Sequence, residues 1–517
     1  MRKSKAFLYN ALLLVAVSLI MRTVGIYFNV YISNRIGAVA MGVYSLVGGI
    51  YGFGITLATS GVNLAVTRLV SEALGREQPG EIRRIMSRCV IYASSFGLLA
   101  AVLLLTLSET IAYSWLDDLR TIRPMRLLAL ALPLISVTSA LNGYFTAIRK
   151  VYKNAITVFA EQCIRTFFTV LLLNALLPPG IEYSCVALAG GAVLAELSSL
   201  VIMSTLFLLD RSRKSKEKPG GGRYVGRILG ITLPVAFSSY VRSGLLSVEH
   251  ALIPSGLKKY GASTETSLAI YGTLSSMVFP VVLFPAVFLT SFSGLLVPEL
   301  AESRARGDKA RIERIVSRIM RLTLLFSIGT GGIMLCYARE LGAVLYKNSA
   351  YAGSYISLLA PLIPVMYLDS MTDVMLKGLG QQFYSMIVNI ADALLSVLLV
   401  WLWLPAQGIN AYITIIYIAE LLNTSLSVGR LLTISRAKPD FVNWIIKPAA
   451  AVTGAVSLAR LFFRPASLYS KAALAYAIVV TGLLYILLLS GLFALGKDDL
   501  INLRRLFGEA KTRRGGP

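Results

Sequence analysis

The feature that most constrains this chain is its rhythm: apolar stretches of roughly 20 to 28 residues alternate, end to end, with short polar loops. Each stretch is long enough to cross about 30 Å of hydrocarbon as a helix. A soluble chain would have to hide them all in cores, and with 56% hydrophobic and 15% charged residues and a mean hydropathy of +0.71 it has too little polar surface to do so. Fourteen spans are read, near 7–33, 40–67, 87–109, 124–147, 154–177, 184–209, 225–253, 265–297, 316–337, 353–377, 383–404, 409–434, 443–463 and 469–493.

The net charge of +24 follows from topology. With the N-terminus inside, the inner loops and the span ends beside them hold 36 of the 50 Lys and Arg residues, the outer loops and their span ends 11, and three (Arg22, Arg165 and Arg242) stand deeper within spans. That bias, with an even span number, places both termini in the cytoplasm and argues against a nucleic-acid partner. The start, Met1–Lys5 and an apolar run, could be mistaken for a secretory signal cleaved after Ala38-Val39-Ala40. The run is too long for that and is taken as an uncleaved first span. Cys89, Cys163, Cys185 and Cys336 have no paired spacing, so neither a disulfide framework nor a metal site is expected.

The chain repeats itself. The loop after span 2 reads IRRIMSR at Ile82–Arg88 and the loop after span 8 reads IERIVSR at Ile312–Arg318, with five of seven positions identical. Leu69-Val70-Ser71-Glu72 is echoed by Leu296-Val297-Pro298-Glu299, Pro133 and Ser139 by Pro364 and Ser370, and Ala195-Glu196-Leu197 by Ala419-Glu420-Leu421. The order is preserved and the offsets stay near 220–231. Six spans per repeat give both halves the same orientation, hence a pseudo-two-fold axis along the membrane normal and a cavity between the halves. The expected domains are an N-terminal six-helix bundle (1–215), a C-terminal six-helix bundle (216–438), and two further helices with a basic tail (439–517). The seam is the basic stretch 211–218 with Pro219-Gly220-Gly221-Gly222.

Ionisable residues inside spans are costly, so each should face a cavity or a partner. Arg22 and Arg242 stand mid-span in spans 1 and 7; Glu161 pairs with Asp392 through the repeat, and Glu196 with Glu420. Arg22 and Arg242 are taken as cavity cations, against the alternative of snorkelling or helix-to-helix ion pairs, which weighs more for Glu196 and Glu420. Glu161 and Arg165, four residues apart, are placed to pair. Asp369 and Asp373 share a face at the same spacing, so they either meet water or hold a proton, which makes them candidates for coupling to H⁺ or Na⁺. Glu249 and His250 are read as a wet helix end. Arginines in one cavity favour an anionic, phosphate-bearing ligand, whereas an exporter of organic cations would carry carboxylates there.

No GxxxxGK[ST], GxSxG, HExxH or CxxC occurs, so neither an ATP loop nor an enzyme site is expected. The run Gly48–Gly54 sits inside a span and reads as close packing. Pro280, Pro285, Pro361 and Pro364 should kink or break spans 8 and 10.

Leu19–Gly25, Ser33–Gly37 and Gly42-Val43-Tyr44, with Leu69–Ala73 and Leu296–Leu300, resemble the stage V sporulation protein B-like polysaccharide biosynthesis proteins. These belong to the multidrug/oligosaccharidyl-lipid/polysaccharide (MOP) exporter superfamily. The resemblance covers the whole chain. It implies an all-α, MATE-like membrane fold of two six-helix bundles plus two helices. The implied function is a flippase for undecaprenyl-pyrophosphate-linked sugars (lipid II-like or polysaccharide precursors) working by alternating access. Relatives of this kind line the cavity with arginines of the first helix and of the second half. Arg22 matches by position, Arg242 through the repeat, and Arg165 is a further candidate for substrate binding. In those relatives the last two helices form a groove for the lipid tail. No cofactor is implied; the drive would be membrane potential, an H⁺ or Na⁺ gradient, or consumption of product. Membrane lipids and a cell-wall glycosyltransferase or polymerase are the expected partners, and the bacterial cytoplasmic membrane the expected location. The alternatives are a cation-coupled multidrug antiporter of the MATE type using Asp369, Asp373 or Asp392, and a non-transporting scaffold for a polymerase.

Overall fold

The computed structural model describes residues 2–76, 79–176, 180–211, 224–291, 293–347, 349, 351–463 and 469–492. The basic seam 212–223 and the tail beyond residue 492 lie outside the described residues. Every regular element described is helical. In an apolar medium a helix satisfies its own backbone groups, which is why long apolar segments settle there.

The chain runs through α1 (Arg2–Thr59), α2 (Val62–Gly75), α3 (Pro79–Ile111), α4 (Ile122–Ala129), α5 (Ala131–Ala147), α6 (Val151–Leu171), α7 (Ile181–Arg211) and α8 (Tyr224–Lys259). Then come α9 (Thr264–Gly272), α10 (Ser293–Ala305), α11 (Lys309–Cys336), α12 (Ile363–Gly378), α13 (Gln382–Gln407), α14 (Ile409–Ser435), α15 (Lys447–Phe462) and α16 (Lys471–Gly491). Among the described residues twelve stretches are long and apolar enough to cross a membrane, or thirteen when the bent pair 226–233 and 236–259 counts as one. One stretch, Leu19–Gly75, has 57 residues, about 85 Å of helix and far more than one crossing. It is divided at Gly37, whose φ of 82° and ψ of 171° only glycine adopts readily. Counting it twice gives the fourteen spans read from the sequence, and the chain is a multi-pass membrane protein.

Three local readings need correction. Span 2 is not continuous over 40–67: Gly61, at φ 77°, separates α1 from α2. IRRIMSR and IERIVSR are not loops but the first turns of α3 and α11. Ile82, Ile85, Met86 and Cys89 are buried at helical spacing while Arg83 and Arg88 face outward. Span 8 is not one helix over 265–297: α9 passes through a π turn, Thr273–Val278, into Phe279–Leu283, and the chain breaks again around Pro285 before α10. The expected proline breaks are present here and at Ala360–Leu362 before α12.

The described chain divides into two compact units, residues 1–280 with 386–419, and 281–385 with 420–517. These units are defined by packing and the repeat by sequence, so one partition does not test the other. Each unit holds one version of the same core. The first packs Leu69, Ala73, Ile82, Met86, Ala140 and Tyr144 together, and the second packs Leu296, Leu300, Ile312, Val316, Met371 and Met375. Position for position these are repeat mates. In the second unit α15 and α16 lie against α11, where Gly329 and Gly332 leave room for Tyr485 and Val452, and Tyr485 donates to Leu325 O at 2.6 Å.

Candidate functional site

Two groups of charged side chains inside the spans stand in the first unit. In the first, α6 brings Arg165 one turn beyond Glu161, and α7 brings Glu196 alongside. Arg165 Nη2 donates to Glu161 Oε1 at 2.7 Å and reaches Glu196 Oε1 at 3.5 Å. The expected Glu161–Arg165 pair is present, with Glu196 as a third member. One guanidinium is shared by two carboxyl groups, and the Arg165 Nε and Thr166 Oγ1 atoms beside it are buried without a hydrogen-bond partner.

The second group is built on α8 and α13. Asp392 stands 231 residues after Glu161, and Ser396 stands 231 after Arg165. The frame is therefore repeated with a hydroxyl where the first copy has a cation. Glu249 Oε1 accepts from Ser396 Oγ at 2.7 Å, and Asp392 Oδ1 is buried with no hydrogen-bond partner. Arg242 lies within electrostatic reach of Asp392. Glu249 is not the wet helix end read from the sequence, because it is half-buried and turned onto α13. His250 is held too: its Nδ1 is 2.7 Å from Tyr271 Oη.

Arg22 is exposed on α1, with no ion-pair partner among the described residues. Arg242 is exposed as well. The structure brings Arg242 to Asp392 and Arg165 to Glu161 and Glu196; it brings neither group to Arg22. In the second unit Asp373 is tied locally, by Lys377 Nζ at 2.5 Å and by Ser385 Oγ. Its repeat mate Asn142 also meets Asn154, mate of Ser385, but through the backbone: Asn154 Nδ2 donates to the Asn142 carbonyl O at 3.1 Å. This pair pins the turn between two spans. Asp369 and Glu420 each have polar or electrostatic partners of their own. Sequence reading missed Ser396, although the 231-residue offset applied to Arg165 points to it, and took Glu249 for a wet helix end. It also missed Asp210, nearly buried in α7, which accepts from Tyr144 Oη at 2.8 Å and pairs with Lys150 and Lys153.

Comparison with known proteins follows the same lines. Residues 7–254 match the family described as polysaccharide biosynthesis protein. The chain is 25% identical over 442 residues to stage V sporulation protein B of Bacillus subtilis (strain 168), covering 83% of this chain and 85% of the relative. It is 20% identical over 340 residues to sporulation protein YkvU of the same organism, 64% and 74% of the two lengths. Among solved structures, lipid II flippase MurJ in an inward closed conformation superposes with a TM-score of 0.68 at 14% identity, over 95% of this chain and all of that one. An inward-facing MATE family transporter of the MOP superfamily gives 0.66 at 11% identity, over 83% of this chain and all of that one. At such identities the likeness is one of fold.

Proposed function

We propose that this chain, whose residues 7–254 match the polysaccharide biosynthesis protein family and whose fold is that of MOP-superfamily transporters, is a flippase for polyprenyl-pyrophosphate-linked sugars. It would work in the bacterial cytoplasmic membrane with both termini inside. The observation that carries the reading is Arg22. A guanidinium at bilayer depth costs at least a few kcal/mol, and Arg22 recovers none of it from an ion pair among the described residues. A pyrophosphate is the ligand whose charge and geometry match it, through paired N–H donors.

In this reading Arg22 and Arg242 hold the pyrophosphate while the sugars cross between them and the prenyl tail stays in lipid or in a groove beside α15 and α16. Arg165, already shared by two carboxylates, serves less as a ligand than as their counter-ion. No bond is made or broken. The drive is membrane potential, worth about 2.3 kcal/mol per charge per 100 mV, or an ion gradient. A cell-wall polymerase or glycosyltransferase consuming the product is the natural partner.

One observation favours coupling to a cation, and with it the second reading of a MATE-type antiporter. The Asp392–Ser396 frame has a hydroxyl where its mate has Arg165, with Arg242 only within electrostatic reach, and Asp392 Oδ1 has no hydrogen-bond partner. The two readings differ in cargo and can share this coupling. Native mass spectrometry of the gently purified chain separates them: a bound prenyl-pyrophosphate lipid supports the flippase. Its absence, together with dye efflux driven by a Na⁺ or H⁺ gradient, supports the antiporter.

A further inference from the structure

Arg35 stands at the end of the first span of α1, two residues before the break at Gly37, and Asn174 lies in the π turn Leu172–Leu176 that ends α6. Arg35 Nη2 donates to Asn174 Oδ1 at 3.2 Å, and Asn174 Nδ2 donates to Tyr31 Oη at 3.4 Å. The chemistry of the side chains fixes the direction of this relay. A guanidinium can only donate, so it holds the amide oxygen, turns the amide nitrogen to Tyr31 and makes the phenol oxygen the acceptor. Three kinds of hydrogen are left over: the Tyr31 O–H, the second Asn174 N–H and the other N–H groups of Arg35. Arg35 has no ion-pair partner among the described residues.

Next to this polar cap the surface turns apolar. Tyr31 and Arg35 share a helical face with Val24 and Tyr27, and Asn174 shares one with Phe167 and Leu171. All four apolar side chains are exposed, Tyr27 by 74% and Phe167 by 64%. From Arg35 back to Val24 is eleven residues, about 16 Å of helix, or half of a hydrocarbon layer about 30 Å thick.

Donors around one positive charge, capping an apolar strip one leaflet deep, match a lipid with a phosphate head. We propose that Tyr31, Arg35 and Asn174 bind the headgroup of an anionic phospholipid whose acyl chain lies along Val24, Tyr27, Phe167 and Leu171. The scarcity of basic residues assigns this end of the span to the outer leaflet. A headgroup with its own ammonium is already neutralised, so the unpaired Arg35 charge selects one without it. Oxygens of one phosphate take donors from both helices, and the bound lipid thereby joins α1 to α6. The site is separate from the one proposed above for the pyrophosphate: Arg22 stands thirteen residues earlier, about 20 Å along α1 and on a different face.

The test uses the full chain carrying Phe167→Trp in vesicles of mixed phosphatidylcholine and phosphatidylglycerol, with one or the other lipid brominated in its acyl chains. The unsubstituted protein supplies the signal of the four native tryptophans for subtraction. Quenching of the added indole should favour phosphatidylglycerol by about fivefold, the factor one basic residue gives near an anionic membrane surface. Arg35→Gln together with Asn174→Leu should abolish that preference, and Leu483→Trp, at an exposed position of α16, should show none. Equal quenching by the two lipids at Phe167→Trp overturns the site, as does a preference that survives the double variant or is shared by Leu483→Trp. Relief of quenching by a small fraction of unbrominated polyprenyl pyrophosphate overturns the phospholipid as occupant and gives the surface to the cargo. None of these readouts requires transport, so their failure leaves the flippase proposal to its own test.

Discussion

Replacing Arg165 by methionine removes the guanidinium and keeps much of its apolar stem. It leaves Glu161 and Glu196 facing each other across α6 and α7 with no cation between them. Each carboxylate interacts with Arg165 by about 4 kcal/mol at 4 Å and an effective dielectric of 20, much of it offset by desolvation. Removing one partner of a fully buried pair costs about 3–5 kcal/mol. Here the side chains are 35%, 20% and 14% exposed, so solvent screening brings the expected loss down to about 1–3 kcal/mol. For a chain of this length that corresponds to a fall of about 1–3 °C in Tm. The measurement is thermal unfolding of the purified protein in detergent, run as a cycle in which Arg165→Met is made in the native background and again with Glu161→Gln and Glu196→Gln. The substitution should cost markedly less once both carboxylates are neutral. An equal cost in the two backgrounds would refute the argument that Arg165 is held as the counter-ion of this pair.

Other perturbations probe separate parts of the molecule. Asp210→Asn should cost about 2–4 kcal/mol in the same assay, because it strips charge from a carboxylate only 5% exposed that joins α7 to Tyr144, Lys150 and Lys153; a loss below about 0.5 kcal/mol would count against that network. Gly329→Leu should cost about 1–3 kcal/mol by overpacking against the Tyr485 ring, raising hydrogen exchange in α16 while α3 and α5 stay protected. Asp392→Asn should abolish the response of transport to an applied Na⁺ or H⁺ gradient, and Asp373→Asn, at a carboxylate already tied to Lys377 and Ser385, should leave it intact; the reverse pattern would move the coupling site to α12.

Much of this fold was legible because the bilayer imposes a coarse rule that hydropathy reports directly: span number came from apolar length, and the duplication from repeated residues. What hydropathy does not report is backbone conformation. It cannot distinguish Gly61, which breaks a helix at φ 77°, from Gly42, which lies inside one at a close crossing. Charge misled the reading of Ile82–Arg88, whose arginines suggested a loop while Ile82, Ile85, Met86 and Cys89 already carried the spacing of a buried helical face. At the candidate site the Glu161–Arg165 pair was predictable from its four-residue spacing. The Glu249–Ser396 bond was not, because it joins residues 147 apart on α8 and α13 that no local pattern links.

The central claim is that the cargo is an anionic lipid held by Arg22 and Arg242, and its most direct test is the transport of a fluorescent polyprenyl-pyrophosphate-linked sugar in vesicles by the wild type and by the Arg22→Ala, Arg242→Ala double variant. A charge-assisted contact is worth about 1.5–3 kcal/mol, so the account predicts that each alanine weakens transport about ten- to a hundredfold and that the double variant is indistinguishable from empty vesicles. Transport by the double variant at the wild-type rate would contradict it.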